Sequence, residues 1–324
     1  MNKGNEFLIY AFYRFVKVND KKKLKHKIDN YCQHKTIRGT ILISDEGINA
    51  TISGVNYDLL QVTKIIKTDL CIRKLNIKIN VCNFLPFNRM KVRIKKEIVT
   101  MGIKNLDVNR SKAKYLNPTE WNKNLNRDNV KIIDIRNNYE IAIGKFKNSI
   151  NIQTNSFREF PSKFESIKVD KKEKILMYCT GGIRCEKASA YLINKGYKNV
   201  YQLNGGIIEY TRQVKEHNLE NKFLGKNFVF DNRMSERISG DIISNCHQCG
   251  DKCDEHVNCN NEACHLLFIQ CDSCAKKYDG CCSIECSEIY SLPIEKQKEL
   301  RGGKKNSSKI FKKGRFKEKP LNKI

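Results

Sequence analysis

Met177-Tyr178-Cys179-Thr180-Gly181-Gly182-Ile183-Arg184-Cys185-Glu186 is the stretch from which the fold of this chain can be read. The apolar run that leads into it, residues 174–178, reads as a buried strand. A six-residue loop follows, from Cys179 to Arg184, with two glycines in its middle. Residues 185–195 then read as a helix, with Ala188, Tyr191 and Leu192 on one face. A cysteine at a strand end, in a loop that opens a helix, sits where backbone N–H groups converge and the helix dipole is positive. Such a cradle binds anions and lowers a thiol's pKa, so Cys179 is a candidate nucleophile. Thr180, Gly181, Gly182 and Ile183 supply the N–H groups, the glycines let the backbone curl, and Arg184 adds a fixed cation.

A buried structural cysteine is the plainer alternative. The Cys-x4-Arg spacing with paired glycines between strand and helix argues against it. Phosphate-cleaving cysteine loops space Cys and Arg one residue further apart. The tighter loop resembles that of the rhodanese (sulfurtransferase) family, in which the cysteine carries a persulfide.

At 324 residues the chain has room for two or three domains. No apolar run is long enough to cross a membrane, and residues 7–13, stopped by Arg14, lack a signal-peptide layout. These absences predict a cytoplasmic protein with no membrane association, and nothing points to an obligate protein partner. Fifteen cysteines in such a chain suggest metal ligands and redox chemistry rather than disulfides. The net charge of +26 predicts a polyanionic partner, most simply nucleic acid. Abundant Lys, Asn and Ile also resemble AT-rich genome drift, which would supply part of that charge without function.

The expected domains are 1–100, 112–220 and 240–292, followed by a disordered basic tail over 302–324. The first shows strand, helix, strand, strand, helix, strand: 7–16, 21–34, 39–44, 48–53, 57–68, and final strands over 76–81 and near 92–99. This βαββαβ order predicts a ferredoxin-like (acylphosphatase-like) α+β sandwich. Asp45-Glu46-Gly47-Ile48-Asn49 reads better as a hairpin turn than as a functional loop. Lys91-Val92-Arg93-Ile94-Lys95-Lys96 alternates basic and apolar residues, which suits either a phosphate-facing strand or an edge strand guarded by lysines.

The second unit alternates strands (130–135, 150–152, 174–178, 200–203) with helices (157–168, broken at Pro161; 185–195; from 207). That alternation predicts a parallel α/β sheet, whose ligands sit at C-terminal strand ends, as Cys179 does. Asp134 and Arg136 end a neighbouring strand and either shape the pocket or pair with each other.

The third unit holds ten cysteines. Cys246-x2-Cys249 and Cys271-x2-Cys274, with 21 residues between them, lie just outside zinc-ribbon spacing and suggest one structural Zn²⁺. Cys253, Cys259, Cys264, Cys281, Cys282 and Cys286, with His247, His256 and His265 nearby, can complete a second site. An iron–sulfur cluster is the runner-up.

Together these motifs are more specific. Residues 44–54 (Ser-Asp-Glu-Gly-Ile-Asn-Ala-Thr-Ile-Ser-Gly), 91–102, Asp134-Ile135-Arg136-Asn137, residues 178–187 and Phe228-Val229-Phe230-Asp231 occur in the order found in the tRNA uridine hydroxylase (TrhO) family, a rhodanese-domain group, and closely resemble it up to about residue 290. Ala50 and Asn138 stand where many relatives have Gly and Asp. The resemblance implies oxygen-dependent 5-hydroxylation of the wobble uridine of tRNA, with molecular oxygen as co-substrate and Cys179 as the persulfide-type active-site residue. A thiolate adding to uracil C6 would leave an enolate at C5 to react with oxygen, stabilised by the loop N–H groups and Arg184. Cys185 either resolves an oxidised Cys179 or, the better reading, faces the core. No flavin, nicotinamide or facial-triad motif marks the electron donor. Loop chemistry alone favours a sulfurtransferase, and a non-catalytic RNA-binding zinc protein is a third class; the whole-chain resemblance places the hydroxylase first.

Overall fold

Alternation of side chains along four strands builds the first unit. In this computed structural model, which describes residues 6–301, they are β1 (Phe7–Phe15), β2 (Arg38–Ser44), β3 (Gly47–Gly54) and β4 (Lys78–Cys82). The expected tail over 302–324 lies outside the described residues. A fifth strand, β5 (Met90–Ile94), extends the sheet to the order β4-β1-β3-β2-β5, with β5 parallel to β2 at one edge. Tyr10, Phe12, Ile41, Ile43, Ile48, Ala50, Ile52 and Val92 point to one face and pack under α1 (Lys21–Cys32) and α2 (Asn56–Asp69). Asp20 caps α1 by accepting from the Lys23 N–H at 2.8 Å. The opposite face carries Ala11, Tyr13, Thr40, Leu42, Asn49 and Thr51 and is turned toward the second unit. Lys91 and Arg93 share that face, since they pair in register with Thr40 and Leu42.

The second unit is a sheet of order β6-β11-β10-β7-β9, formed by β6 (Lys114–Leu116), β7 (Val130–Asp134), β9 (Ile150–Asn151), β10 (Lys174–Tyr178) and β11 (Asn199–Leu203), all parallel. Between them run α3 (Pro118–Asn124), α4 (Asn138–Ile141), β8 (Gly144–Phe146), α5 (Phe160–Glu165) and α6 (Ile183–Asn194), and α7 (Gly206–Glu216) follows β11. Central β10 is buried on both faces, which explains its unbroken apolar run. Ile175 and Met177 meet Phe160, Phe164, Ala188 and Leu192 on one side, and Leu176 and Tyr178 meet Trp121, Phe146, Ile207 and Tyr210 on the other.

Two local expectations are corrected. The helix after the cysteine begins at Ile183, not residue 185, because Gly182, at φ +97°, turns the chain into it at once. Pro161 does not break the 157–168 segment. It sits in the first turn of α5, where a missing N–H costs nothing, after a single 3-10 turn at Phe157–Glu159.

Strands β12 (Phe223–Phe228) and β13 (Ser235–Arg237) form a hairpin that also pairs with β8. It leads into the cysteine-rich part: β14 (His256–Asn258), β15 (Leu267–Ile269), α8 (Asp272–Lys277), α9 (Ile284–Ser291) and α10 (Ile294–Arg301). Tyr139, Ile143 and Phe228 pack against Cys246, Leu267 and Ile269, and Lys226 pairs with Asp254 at 3.0 Å, so this part is fastened to the second unit. No helix of the described residues is long and apolar enough to cross a membrane.

Candidate active site

Cys179 directly follows β10 and is 1% exposed, at the floor of a cleft of about 1190 Å³ between the first unit's open sheet face and the second unit. The Gly182 N–H donates to its Sγ at 3.1 Å. Burial alone would raise the Cys179 pKa. The hydrogen bond from Cys185, the Arg184 charge and the N–H groups of Cys185 and Gly182 outweigh it and bring the pKa down to about 5. The neighbouring Cys185 thiol moves the other way, well above its ordinary value, through burial, its hydrogen bond to Cys179 and the thiolate's charge. The Cys179 sulfur is thus held as a thiolate at neutral pH and its neighbour Cys185 as a thiol.

Arg184 lies in the first turn of α6, its Nη1 and Nη2 donating to Glu140 Oε2 and Oε1 at 2.6 and 2.7 Å. Glu140, on α4, is fully buried and also accepts from the Thr180 hydroxyl at 3.2 Å. The guanidinium is therefore aimed by a planar two-bond clamp. Sequence reasoning did not single out Glu140. The signal was the capping-box spacing Asn137-x-x-Glu140, which here caps α4 and at the same time presents the carboxylate to Arg184.

The first unit reaches the loop directly. Lys78 Nζ donates to the Gly181 carbonyl at 2.7 Å, and burial lowers its pKa although Cys179 and two glutamates oppose this. The Tyr13 and Tyr115 hydroxyls donate to Glu186 at 3.1 and 3.0 Å. Lys187, whose side chain is 3% exposed, pairs with Glu46 at 2.8 Å and Glu97 at 2.5 Å. Asp45-Glu46 is thus a two-residue turn between β2 and β3, as the plainer reading had it, and Glu46 also ties that turn to α6.

Asp134 and Arg136 pair with each other at 2.7 Å, both wholly buried, with Arg136 also donating to the Gly144 carbonyl. They brace the sheet end from inside and do not line the cleft.

Gly206 opens α7 at φ +69°, and a Cβ there would lie 2.5 Å from the Cys179 carbonyl and 2.7 Å from that of Thr180. Gly206→Ala is expected to cost roughly 1–3 kcal/mol through left-handed strain, and more where the loop must move aside. Urea unfolding with a parallel activity assay checks this; unchanged values in both would contradict the close approach.

The cysteine-rich part holds two groups of four sulfurs, each group within 4.8 Å: Cys246, Cys249, Cys271, Cys274, and Cys259, Cys264, Cys282, Cys286. Neither takes a histidine, and Cys253 and Cys281 fall outside both. Separations of 3.6 Å (Cys249–Cys271, Cys264–Cys282) and 3.8 Å (Cys282–Cys286) match the ~3.8 Å edge of a tetrahedron with Zn–S bonds of about 2.3 Å. The N–H groups of Cys271 and Cys282 point at Cys246 and Cys259 sulfurs at 3.4 Å. Sulfurs this close leave room for one ion per group, not for a four-iron cluster.

Three family matches follow the same architecture: "UPF0176 acylphosphatase like domain" over residues 7–98, "Rhodanese-like domain" over 117–213 and "Rhodanase C-terminal" over 224–287. A tRNA uridine(34) hydroxylase of Leptospira interrogans is 44% identical over 95% of this chain and 85% of its own length. The chain belongs to the tRNA uridine(34) hydroxylase family. A second family member, from Pectobacterium carotovorum, is 41% identical over 94% of this chain and 87% of its own. A rhodanese-related crystal structure from Thermoplasma volcanium is 23% identical over 31% of this chain and 92% of that one, with a TM-score of 0.27. As a member of the hydroxylase family, this chain brings Cys179, Thr180, Gly181, Ile183 and Arg184 to one cleft, with Phe230, Asp231 and Arg233 of the β12–β13 hairpin on its wall.

Proposed function

We propose that this chain hydroxylates C5 of uridine 34 in tRNA with molecular oxygen, using Cys179 as nucleophile. What carries the reading is a thiolate at the floor of a cleft rimmed by Lys95, Lys96, Arg158 and Arg233, in a chain of this family. Cationic and aromatic walls suit an RNA segment, and a recessed sulfur demands a base taken out of the stack.

Cys179 Sγ bonds to C6, and the C5–C6 π pair moves into an enolate over C5, C4 and O4. That enolate takes up O₂ and a proton to give a C5 hydroperoxide. Two electrons and two protons cleave its O–O bond, leaving the C5 hydroxyl and water. Loss of the C5 proton then expels the thiolate and restores the double bond. The loop N–H groups and Arg184 stabilise the anionic stages. A thiol couple is the class of donor that fits the site. Cys179 is bonded to C6 at that stage and Cys185 is wholly buried, so both electrons come from external thiols, two of which are oxidised to a disulfide as the O–O bond breaks.

The two sulfur groups would each hold a structural Zn²⁺, which fixes the cysteine-rich part against the second unit. Metal analysis of the purified chain is expected to give two zinc ions per molecule. Cys271→Ser and Cys282→Ser should each remove one, and a chelator both, with loss of folded structure there. A single ion, or iron, would contradict this assignment.

Wobble-uridine nucleosides from cells with and without the chain test the activity. Loss of one oxygen atom at C5 is the expected change; loss of a thio group instead would point to sulfur transfer.

A further inference from the structure

We propose that Phe230 is the platform on which the target pyrimidine stacks; this rests on the reading above, in which the substrate is a tRNA uridine. Phe230 is 52% exposed, and that exposed surface faces the cleft that holds Cys179. The Arg184 guanidinium lies 5.9 Å from its ring centre. A partly exposed aromatic ring on the wall of the cleft that Cys179 and Arg184 also line is what a planar ligand would cover.

The ring is also held in place before any ligand arrives. Phe228 packs edge-on against it at 5.3 Å and 77°. The Val229 N–H donates to the Met234 carbonyl at 3.0 Å, closing the hairpin tip, and Asp231 pairs with Arg233 at 2.6 Å. The tip is pinned to the first unit: the Asn232 N–H donates to the Pro86 carbonyl at 2.9 Å, and its side chain meets Asn88 at 3.1 Å. Stacking on a fixed ring costs little ordering, so most of the contact appears as affinity.

The chemistry of the reaction asks for such a surface. A uracil presented to Cys179 has left its neighbours in the anticodon loop and lost their stacking. An aromatic side chain returns that interaction and sets the plane of the ring. Attack at C6 must come perpendicular to that plane, so a platform on one face leaves the other to the thiolate. Arg184, 5.9 Å from the ring centre and acting by its charge on Cys179, lines the same cleft and is near enough to both to stabilise the enolate. A small thiol or persulfide acceptor would gain nothing from this arrangement.

Two measurements on the full chain test the proposal. An anticodon stem–loop RNA carrying 5-iodouridine at position 34 is irradiated with the protein, and the cross-linked peptide is sequenced by mass spectrometry. The cross-link is expected at Phe230. In steady-state hydroxylation, Phe230→Ala and Phe230→Leu should raise KM about tenfold or more, while Phe230→Tyr and Phe230→Trp stay near wild type. Melting temperatures show that each variant is folded. A cross-link elsewhere, a wild-type KM for Phe230→Ala, or a Phe230→Leu variant as good as Phe230→Tyr would each overturn the platform. A wild-type chain that cross-links through Phe230 but never hydroxylates the RNA would overturn the activity reading and leave the platform standing.

Discussion

Cys179→Ser is expected to abolish hydroxylation of tRNA, by roughly 10⁴-fold or more in single-turnover rate, the scale of loss when a nucleophile is removed. The substitution is nearly isosteric, and serine can still accept from the Gly182 N–H that now donates to the sulfur. It cannot become an anion in this cradle at neutral pH. The wild-type rate should carry the thiolate's signature. With the pKa at about 5, the sulfur is ionised throughout neutral pH, so activity is flat through pH 7 and falls as pH drops through about 5. The stability linkage has the same sign. The folded-state pKa is depressed below the ordinary thiol value of 9, so the thiolate's contribution is complete above 9 and is lost as pH falls through about 5. Quantifying 5-hydroxyuridine in digested tRNA checks the first point, and alkylation rates across pH check the second. Full activity in a folded Cys179→Ser protein would remove covalent addition from the account.

Arg184→Met is the second large effect. It leaves the Glu140 carboxylate, whose side chain is wholly buried, without its bidentate partner. Removing one member of a buried pair costs about 3–5 kcal/mol, more than the pair itself contributes, because the remaining charge is stranded. Glu140 then has reason to bind a proton, and Cys179 loses a cation that holds its pKa down, so its ionisation moves up toward the ordinary thiol range. Urea unfolding should show the destabilisation, and alkylation the upward shift. The double variant Arg184→Met, Glu140→Gln separates the two roles. It should recover much of the stability, since no unpaired charge remains, but none of the activity. Recovery of both would mean that Arg184 serves only as Glu140's partner.

Much of the scaffold was legible in the chain because local signals and tertiary needs agree. Residues 174–178 are apolar without interruption because β10 is covered on both faces, and the period-two pattern in β1 to β3 reflects a sheet with helices on one face only. The start of α6 was misplaced because it depends on a left-handed glycine, which a helix-propensity reading passes over. Short β6 and the irregular hairpin β12–β13 carry little periodicity and are defined by their partners in the sheets. At the site, Cys179 and Arg184 announce themselves by spacing. Glu140, Lys78, Tyr13 and Lys187 do not, since each acts across a sequence separation that only the folded chain closes. Among the cysteines, Cys-x2-Cys spacing marks one group of four. The second, built from Cys259, Cys264, Cys282 and Cys286, follows no such spacing and emerges only when β14, β15 and α9 are in place.

Transfer of an oxygen atom from O₂ to C5 of uridine 34, dependent on Cys179, is the reaction we propose for this cleft. The purified chain, reduced by thiol, should be incubated with unmodified tRNA under ¹⁸O₂ and the nucleosides weighed. One ¹⁸O atom at C5 of that uridine is predicted for the wild-type protein and none for Cys179→Ser. A product whose added oxygen comes from water, or equal labelling by the two proteins, would contradict it.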